Sequence, residues 1–113
     1  EFVMVGHITL PQIAESDTPA TLSKTVVTDI LRGELGYTGI VITDAMNMGA
    51  IAQNYSADRA AVQAVQAGID MILMPSDFYS AYQGILDAVK NGEITEQRLD
   101  ESVKRIIDLK LKL

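Results

Sequence analysis

In the segment Gly39-Ile40-Val41-Ile42-Thr43-Asp44-Ala45-Met46-Asn47-Met48-Gly49-Ala50, four apolar or β-branched residues follow a glycine and end at a carboxylate. A short uninterrupted run of this kind predicts a strand that is buried on both faces, as in a parallel sheet. Asp44 then stands at the carboxyl end of the strand, where open α/β sheets and βα barrels place catalytic groups. An aspartate there is also common as a turn residue or a helix cap, so spacing alone leaves both interpretations open.

Two further apolar runs predict strands before and after this segment. Phe2-Val3-Met4-Val5-Gly6-His7 predicts a first strand with His7 at its carboxyl end, and Ile69–Met74 predicts a third that Pro75 stops. A loop is predicted over residues 9–21, which contain two of the three prolines. The predicted helices run from Ser23 to Gly36, from Ser56 to Gly68, from Phe78 to Gly92, and from Thr95 onward. Alternation of this kind favours parallel strands joined by right-handed crossovers.

The last predicted helix carries an apolar stripe and a charged face. The stripe expected to be buried consists of Leu99, Val103, Ile106 and Ile107. The expected charge pairs, four residues apart, are Asp100–Lys104, Glu101–Arg105 and Asp108–Lys112. We interpret these charges as a solvated face, and we assign Asp70 and Asp77 turn or cap roles.

Composition excludes several classes of protein. The net charge is −6 and no basic cluster is present, which makes a nucleic-acid partner improbable. Because the chain has no cysteine, it holds neither disulfides nor thiolate metal sites. No apolar run approaches the roughly 20 residues of a membrane helix.

The length and the start of the chain predict that it is part of something larger. Its 113 residues are few for a complete enzyme barrel, which takes about 250. The chain also starts inside a strand-like run, as expected of a piece of a longer protein. Three parallel strands would leave two unprotected edges, so we expect them to pair with the remainder of a barrel or with another copy of the chain.

Four motifs occur in a fixed order: Val3-Met4-Val5-Gly6-His7, Pro19-Ala20-Thr21-Leu22-Ser23, Glu34-Leu35-Gly36-Tyr37-Thr38-Gly39 and Ile42-Thr43-Asp44-Ala45-Met46-Asn47-Met48. Together they resemble glycoside hydrolase family 3, over essentially all 113 residues. The similarity is to the β-N-acetylhexosaminidase branch, which carries T-D-x-x-x-M where the β-glucosidase branch usually has S-D-W. Thr43-Asp44 followed by Met48 fits the former pattern.

The resemblance implies a fold and a reaction. The fold is a (βα)8 TIM-type barrel, of which residues 1–113 would form the C-terminal portion, with about three parallel strands and their following helices. The reaction is hydrolysis of a terminal β-linked N-acetylglucosamine with retention, by double displacement and without metal or organic cofactor. Asp44 matches the catalytic nucleophile, and a buried strand end would hold such a carboxylate rigidly beneath the anomeric carbon.

Other parts of the family's machinery are absent from this sequence. The acid/base histidine with its aspartate, and the K-H-x-x-G-H-G motif that grips the sugar, have no match here. We therefore expect the isolated chain to be inactive. His7 is a candidate substrate-side residue or, alternatively, a hydrogen-bonded structural histidine. Met46 and Met48 are candidates to line the sugar pocket, with packing as the alternative.

Two alternatives come from other functional classes. Val41 to Met48 also resembles the phosphoacceptor strand of response-regulator receiver domains. However, no acidic pair follows Val5 to hold magnesium. The chain could also be a non-catalytic half barrel that folds by self-association.

Overall fold

The computed structural model describes residues 2–14 and 17–113. Two strands, β1 (Phe2–Val5) and β2 (Ile40–Thr43), are separated by a 3₁₀ turn (Ala20–Leu22) and a π-helix (Thr25–Glu34). Four α-helices follow: α1 (Gly49–Ala52), α2 (Ala57–Ala67), α3 (Phe78–Asn91) and α4 (Glu96–Lys112). Two positions of the predicted loop, 15 and 16, and the first residue of the chain lie outside the described residues. In the part of the chain that the structure describes, no helix is both long and apolar enough to span a membrane.

The sheet is parallel, as the alternation of elements predicts. β1 pairs with β2 in the register Phe2↔Ile40 to Val5↔Thr43. The predicted third strand joins β2 through one parallel bridge, Ile42↔Met71, rather than as a regular strand. The reason lies at its end, where the Leu73 N–H donates to the Thr43 hydroxyl (3.0 Å) instead of to a backbone carbonyl. The coarse α/β prediction is thus confirmed, and the third strand is irregular.

Most predicted helix ends are present. The Ser23 hydroxyl accepts from the Val26 amide (3.2 Å), and the Thr95 hydroxyl accepts from the Arg98 amide (3.1 Å). Gly68 ends α2 with a φ of +117°, and a Cβ there would lie 2.5 Å from the Thr28 hydroxyl oxygen, so the position requires glycine. The helix after Ser23 is wider than an α-helix.

The core lies between the sheet and α2. Small side chains on α2 let this helix approach the sheet closely, as its alanine stripe predicts. The buried residues that meet here include Val5, Val41, Ile69, Ala60 and Ala64. A second buried cluster, Val62, Val65, Ala88 and Ile94, involves α2, α3 and the turn before α4.

The other face of the sheet is apolar and open. Phe2 and Met4 are 52% and 54% exposed, and they are in register with Ile40 and Ile42. An apolar groove of about 270 Å³ runs between Phe2, Met71 and the α4 residues Ile106 and Leu109. On this face, α4 borders the sheet but leaves Phe2 and Met4 exposed.

The prediction for α4 is wrong in two respects. Val103 and Ile107 are exposed, and the charged face is not merely solvated. Arg98, Ser102 and Arg105, which follow one another at helical spacing, instead turn inward onto Ile69 and Asp70. A buried carboxylate on the neighbouring segment sets this orientation, because a charge without a partner there would be costly.

Candidate active site at the carboxyl edge of the sheet

Asp44 stands directly after β2, at the carboxyl edge of the sheet. Its backbone N–H donates to the carbonyl of Val5 (3.0 Å), which extends the parallel pairing of β1 and β2 by one bond. The preceding residue, Thr43, is the last of β2 and is completely buried. The backbone that carries the carboxylate is therefore fixed on both sides.

The Asp44 carboxylate is half-buried and only partly engaged. Its Oδ1 accepts from the Ala45 N–H at 2.7 Å. Among residues 2–14 and 17–113, Oδ2 has no hydrogen-bond partner and no cationic side chain lies within 4.0 Å of either oxygen. One carboxylate oxygen thus remains available at the rim of the sheet.

His7, at the carboxyl end of β1, contacts the loop that follows Asp44. Its Nε2 donates to the Ala45 carbonyl (2.8 Å), and its Nδ1 lies 2.6 Å from the Thr21 hydroxyl. Thr21 is fully buried and also donates to the Gly6 carbonyl (3.2 Å). Because both ring nitrogens are engaged by the protein, this geometry favours the hydrogen-bonded alternative for His7.

A neighbouring segment holds the same loop from the other side. The Leu73 N–H donates to the Thr43 hydroxyl (3.0 Å), and the Leu73 carbonyl accepts from the Met46 N–H (2.9 Å). These two bonds span Asp44 and Ala45. Three segments that are distant in the sequence therefore determine the position of one carboxylate.

The two candidate methionines differ in their surroundings. The Met46 side chain is 2% exposed and packs in the main core cluster. Met48 is 45% exposed and precedes α1 at the rim of the sheet. Of these two candidates, Met48 is the one whose side chain is exposed to solvent.

A cluster of charged side chains around Asp70 lies at the opposite, amino edge of the sheet. The fully buried Asp70 carboxylate accepts from Arg32 (2.6 Å), Arg105 (2.8 Å), Ser102 (2.6 Å) and the Val41 N–H (3.0 Å). Burial by itself raises the pKa of the Asp70 carboxyl, but the hydrogen bonds from Ser102 and Val41 and the charge of Arg32 outweigh it and lower the pKa.

Asp70 is therefore neither a turn residue nor a helix cap, and that prediction is wrong. Asp77 does cap a helix, since its Oδ1 accepts from the Ser80 N–H at 3.1 Å. A sequence signal for the Asp70 cluster existed: a carboxylate inside an apolar run is rarely buried without partners. Arg98, Ser102 and Arg105 also share one face of a helix by their spacing.

Chemically, the two edges of the sheet differ. At the amino edge every Asp70 oxygen is paired, so its carboxylate serves the fold. At the carboxyl edge, Asp44 presents one oxygen that no described residue pairs, on a fixed backbone, which is the arrangement that a nucleophilic carboxylate needs.

Comparisons with known proteins find relatives of this chain that are named as glycosidases. The chain is 33% identical to a β-N-acetylglucosaminidase/β-glucosidase from Cellulomonas fimi over 98% of its length, and 31% identical to β-hexosaminidase A from Pseudoalteromonas piscicida, also over 98%. It superposes with a TM-score of 0.94 on a glycoside hydrolase family 3 β-N-acetylglucosaminidase from Paenibacillus sp. str. FPU-7, with 43% identity over 97% of the chain.

These relatives are much longer proteins. The chain spans 21% of the Cellulomonas relative, 22% of the Pseudoalteromonas relative and 22% of the Paenibacillus structure. Residues 1–109 match the family model described as the Glycosyl hydrolase family 3 N terminal domain. This match favours the glycoside hydrolase interpretation over the receiver-domain alternative. The chain belongs to glycosyl hydrolase family 3.

Proposed function

We propose that this chain supplies the nucleophile of a retaining β-N-acetylhexosaminidase, with Asp44 as the nucleophilic residue. The observation that carries the proposal is the state of that carboxylate. It stands at the end of a strand, on a backbone fixed from both sides, with Oδ2 unpaired and no cation of the described chain beside it. The names of the relatives support an N-acetylglucosaminide as substrate, although one of them is also named a β-glucosidase.

In the proposed reaction, an Asp44 oxygen attacks the anomeric carbon and the bond to the leaving-group oxygen breaks. A proton must reach that leaving oxygen as it departs. A water molecule then loses a proton to a general base and attacks the same carbon, the bond to Asp44 breaks, and the sugar leaves with its original configuration. His7 is the one histidine of the sequence, and both of its nitrogens already have protein partners, so we assign the proton donor to residues other than those of this chain.

We further propose that residues 1–113 form the C-terminal portion of a TIM-type barrel. Three features support this: the parallel register of β1 and β2, the helices on one face, and the apolar open face with Phe2 and Met4. In a closed barrel such a face would pack against the side chains of further strands. The alternative covering for the open face is a second copy of the chain.

Within the site, we propose different roles for the candidate residues. Met48, exposed at the rim, is proposed to contact the sugar. His7 is proposed to hold the loop that follows Asp44 rather than to bind the sugar, because Thr21 and Ala45 occupy its nitrogens. Met46 is left out of the proposed sugar site, since its side chain is buried.

The substitution Asp44→Asn tests the proposal. An amide oxygen is a poor nucleophile, so in the complete natural polypeptide we expect kcat for an aryl N-acetyl-β-glucosaminide to fall by about a thousand-fold or more. The same assay with the aryl β-glucoside measures the preference for the acetamido sugar, which we expect to favour the N-acetylglucosaminide.

Asp77→Asn is the matched control for this substitution. Asp77 lies at the same edge of the sheet and caps α3, and asparagine caps helices as well as aspartate does, so activity should remain within about two-fold. If Asp44→Asn retained most of its activity while folded, Asp44 would not be the nucleophile.

A further inference from the structure

Met74 has an unusual backbone conformation next to the candidate active site. Among the described residues it is the non-glycine residue with a positive φ, at +47°. It also precedes Pro75, a position at which the proline ring disfavours helical conformations and favours extended ones. Non-glycine residues held in the left-handed region are strained, and such strain concentrates at active sites and ligand clamps.

The Met74 side chain does not continue the partly buried pattern of the segment before it. Met71 pairs with Ile42, and Ile72 packs against both core clusters, so the segment alternates between the two faces up to that point. Regular alternation would carry Met74 to the side of Ile72, toward the helices. Instead the Met74 side chain is 55% exposed, so it adds nothing to the buried core.

Two hydrogen bonds hold the residue before Met74 against the segment that carries Asp44. Its neighbour Leu73 bonds through its N–H to Thr43 and through its carbonyl to the Met46 N–H, so that these bonds enclose Asp44 and Ala45. Met74 is the next residue along this segment. Its backbone therefore lies at the same carboxyl edge of the sheet as Asp44, and more than half of its side chain is open to solvent there.

From this placement we propose that Met74 is a specificity-determining residue that contacts the apolar face of the sugar ring bound at Asp44. The inference rests on the proposed function. A nucleophile attacks the anomeric carbon from the side opposite the leaving group, so a side chain beside the nucleophile meets the sugar ring and not the aglycone. A thioether chain is unbranched and polarizable, and it adapts to the apolar patch of a pyranoside.

The experiment compares three variants of the complete natural polypeptide: Met74→Ala, Met74→Gly and Met74→Leu. Glycine removes the side chain and also relieves the strain, whereas alanine removes the side chain and keeps it. For an aryl N-acetyl-β-glucosaminide we expect KM to rise about five- to twenty-fold in both shortened variants, with kcat within about three-fold. Leucine should keep KM within about three-fold. Leu35→Ala, an exposed apolar position in the turn before β2, is the control and should leave KM unchanged.

A second measurement separates contact with the sugar from contact with the aglycone and from a purely structural role. The inhibition constant of methyl N-acetyl-β-glucosaminide, which has almost no aglycone, should rise by the same factor as KM. An unchanged inhibition constant would overturn the proposal, as would an unchanged KM accompanied only by a shift in melting temperature. If the wild-type protein is active and Asp44→Asn is not, a neutral Met74→Ala refutes this inference alone. Activity that persists in Asp44→Asn refutes the proposed function itself.

Discussion

At the scale of single residues, the carbonyl of Ala45 links β1 to the candidate nucleophile. His7 donates to that carbonyl one residue after Asp44, and the Thr21 hydroxyl contacts the other nitrogen of the same ring. A shift of this loop would move the carboxylate relative to the anomeric carbon. A misplacement of about 1 Å is enough to cost roughly a hundred-fold in rate.

We therefore expect His7→Ala to lower kcat about ten- to a hundred-fold, with a smaller change in KM. Thr21→Val should lower kcat in the same sense but less, because it removes only the hydroxyl that orients the ring. Steady-state kinetics of both variants distinguish positioning of the loop by His7 from direct contact of His7 with the sugar. A direct contact with the sugar would raise KM in His7→Ala and leave Thr21→Val unaffected.

The sequence predicts some of these residues and not others. The position of Asp44 at a strand end follows from a local apolar run that stops at a carboxylate. Its proposed role as nucleophile comes from the family resemblance, since spacing alone also fits a turn or a cap. The partners of His7 are 14 and 38 residues away in the chain, and no periodicity connects them. The same holds for Met74, since the proline after it favours an extended backbone and not the positive φ that is observed.

At the scale of elements, Asp70 joins three parts of the fold. Its carboxylate receives Arg32 from the π-helix, Arg105 and Ser102 from α4, and the Val41 amide from β2. The carboxylate is completely buried and the two arginines are largely so. Removing one member of such a cluster leaves buried charge without a partner.

Asp70→Asn should therefore lower the free energy of unfolding by about 3–5 kcal/mol. Asp108→Asn is the matched control, since Asp108 pairs with Lys104 at 2.7 Å but both side chains are more than half exposed. Its effect should stay below about 1 kcal/mol. Urea denaturation of the complete polypeptide at neutral pH measures both. Equal losses in the two variants would contradict the assignment of Asp70 as the buried charge that joins these elements.

The cluster also predicts how stability depends on pH. Because the pKa of the folded Asp70 carboxyl is lowered, its contribution is complete above the unfolded pKa of about 3.9 and is lost as the pH falls through the folded pKa. The difference in stability between the wild type and Asp70→Asn should thus be constant from neutral pH to about pH 5 and shrink at lower pH. A difference that grew on acidification would mean that the folded pKa is raised instead.

The prediction for α4 failed because hydrophobic periodicity identifies the apolar face of a helix from its own residues and takes no account of partners elsewhere in the fold. Leu99 and Ile106 are partly buried as predicted, but Val103 and Ile107 are exposed. The orientation of the helix is set by Arg98 and Arg105, which reach the carbonyl of Ile69 and the carboxylate of Asp70. By contrast, the caps at Thr95 and Asp77 depend on local contacts, and sequence predicts both.

At the scale of the whole molecule, the open face of the sheet determines how residues 1–113 behave alone. Phe2 and Met4 are more than half exposed, and the third segment presents an edge beyond Met71. Apolar faces and unpaired edges of this kind lead to association. The relatives, of which this chain spans about a fifth, have additional chain with which such a face could be covered.

We accordingly predict that residues 1–113, produced alone, self-associate and show less than about a thousandth of the glycosidase activity of the complete polypeptide. Sedimentation velocity and an aryl N-acetyl-β-glucosaminide assay measure the two properties. A soluble monomer would contradict the first expectation. Full activity would show that the proton donor lies within these residues after all.

The most direct test of the central claim is to trap the covalent intermediate. A 5-fluoro-N-acetylglucosaminyl fluoride combines a good leaving group with a fluorine that slows hydrolysis of the glycosyl-enzyme, so the complete polypeptide should gain the mass of one fluorosugar. Peptide mapping should then find the sugar on the carboxylate of Asp44. A label on any other carboxylate of an active, stoichiometrically inhibited enzyme would contradict the assignment of Asp44 as the nucleophile.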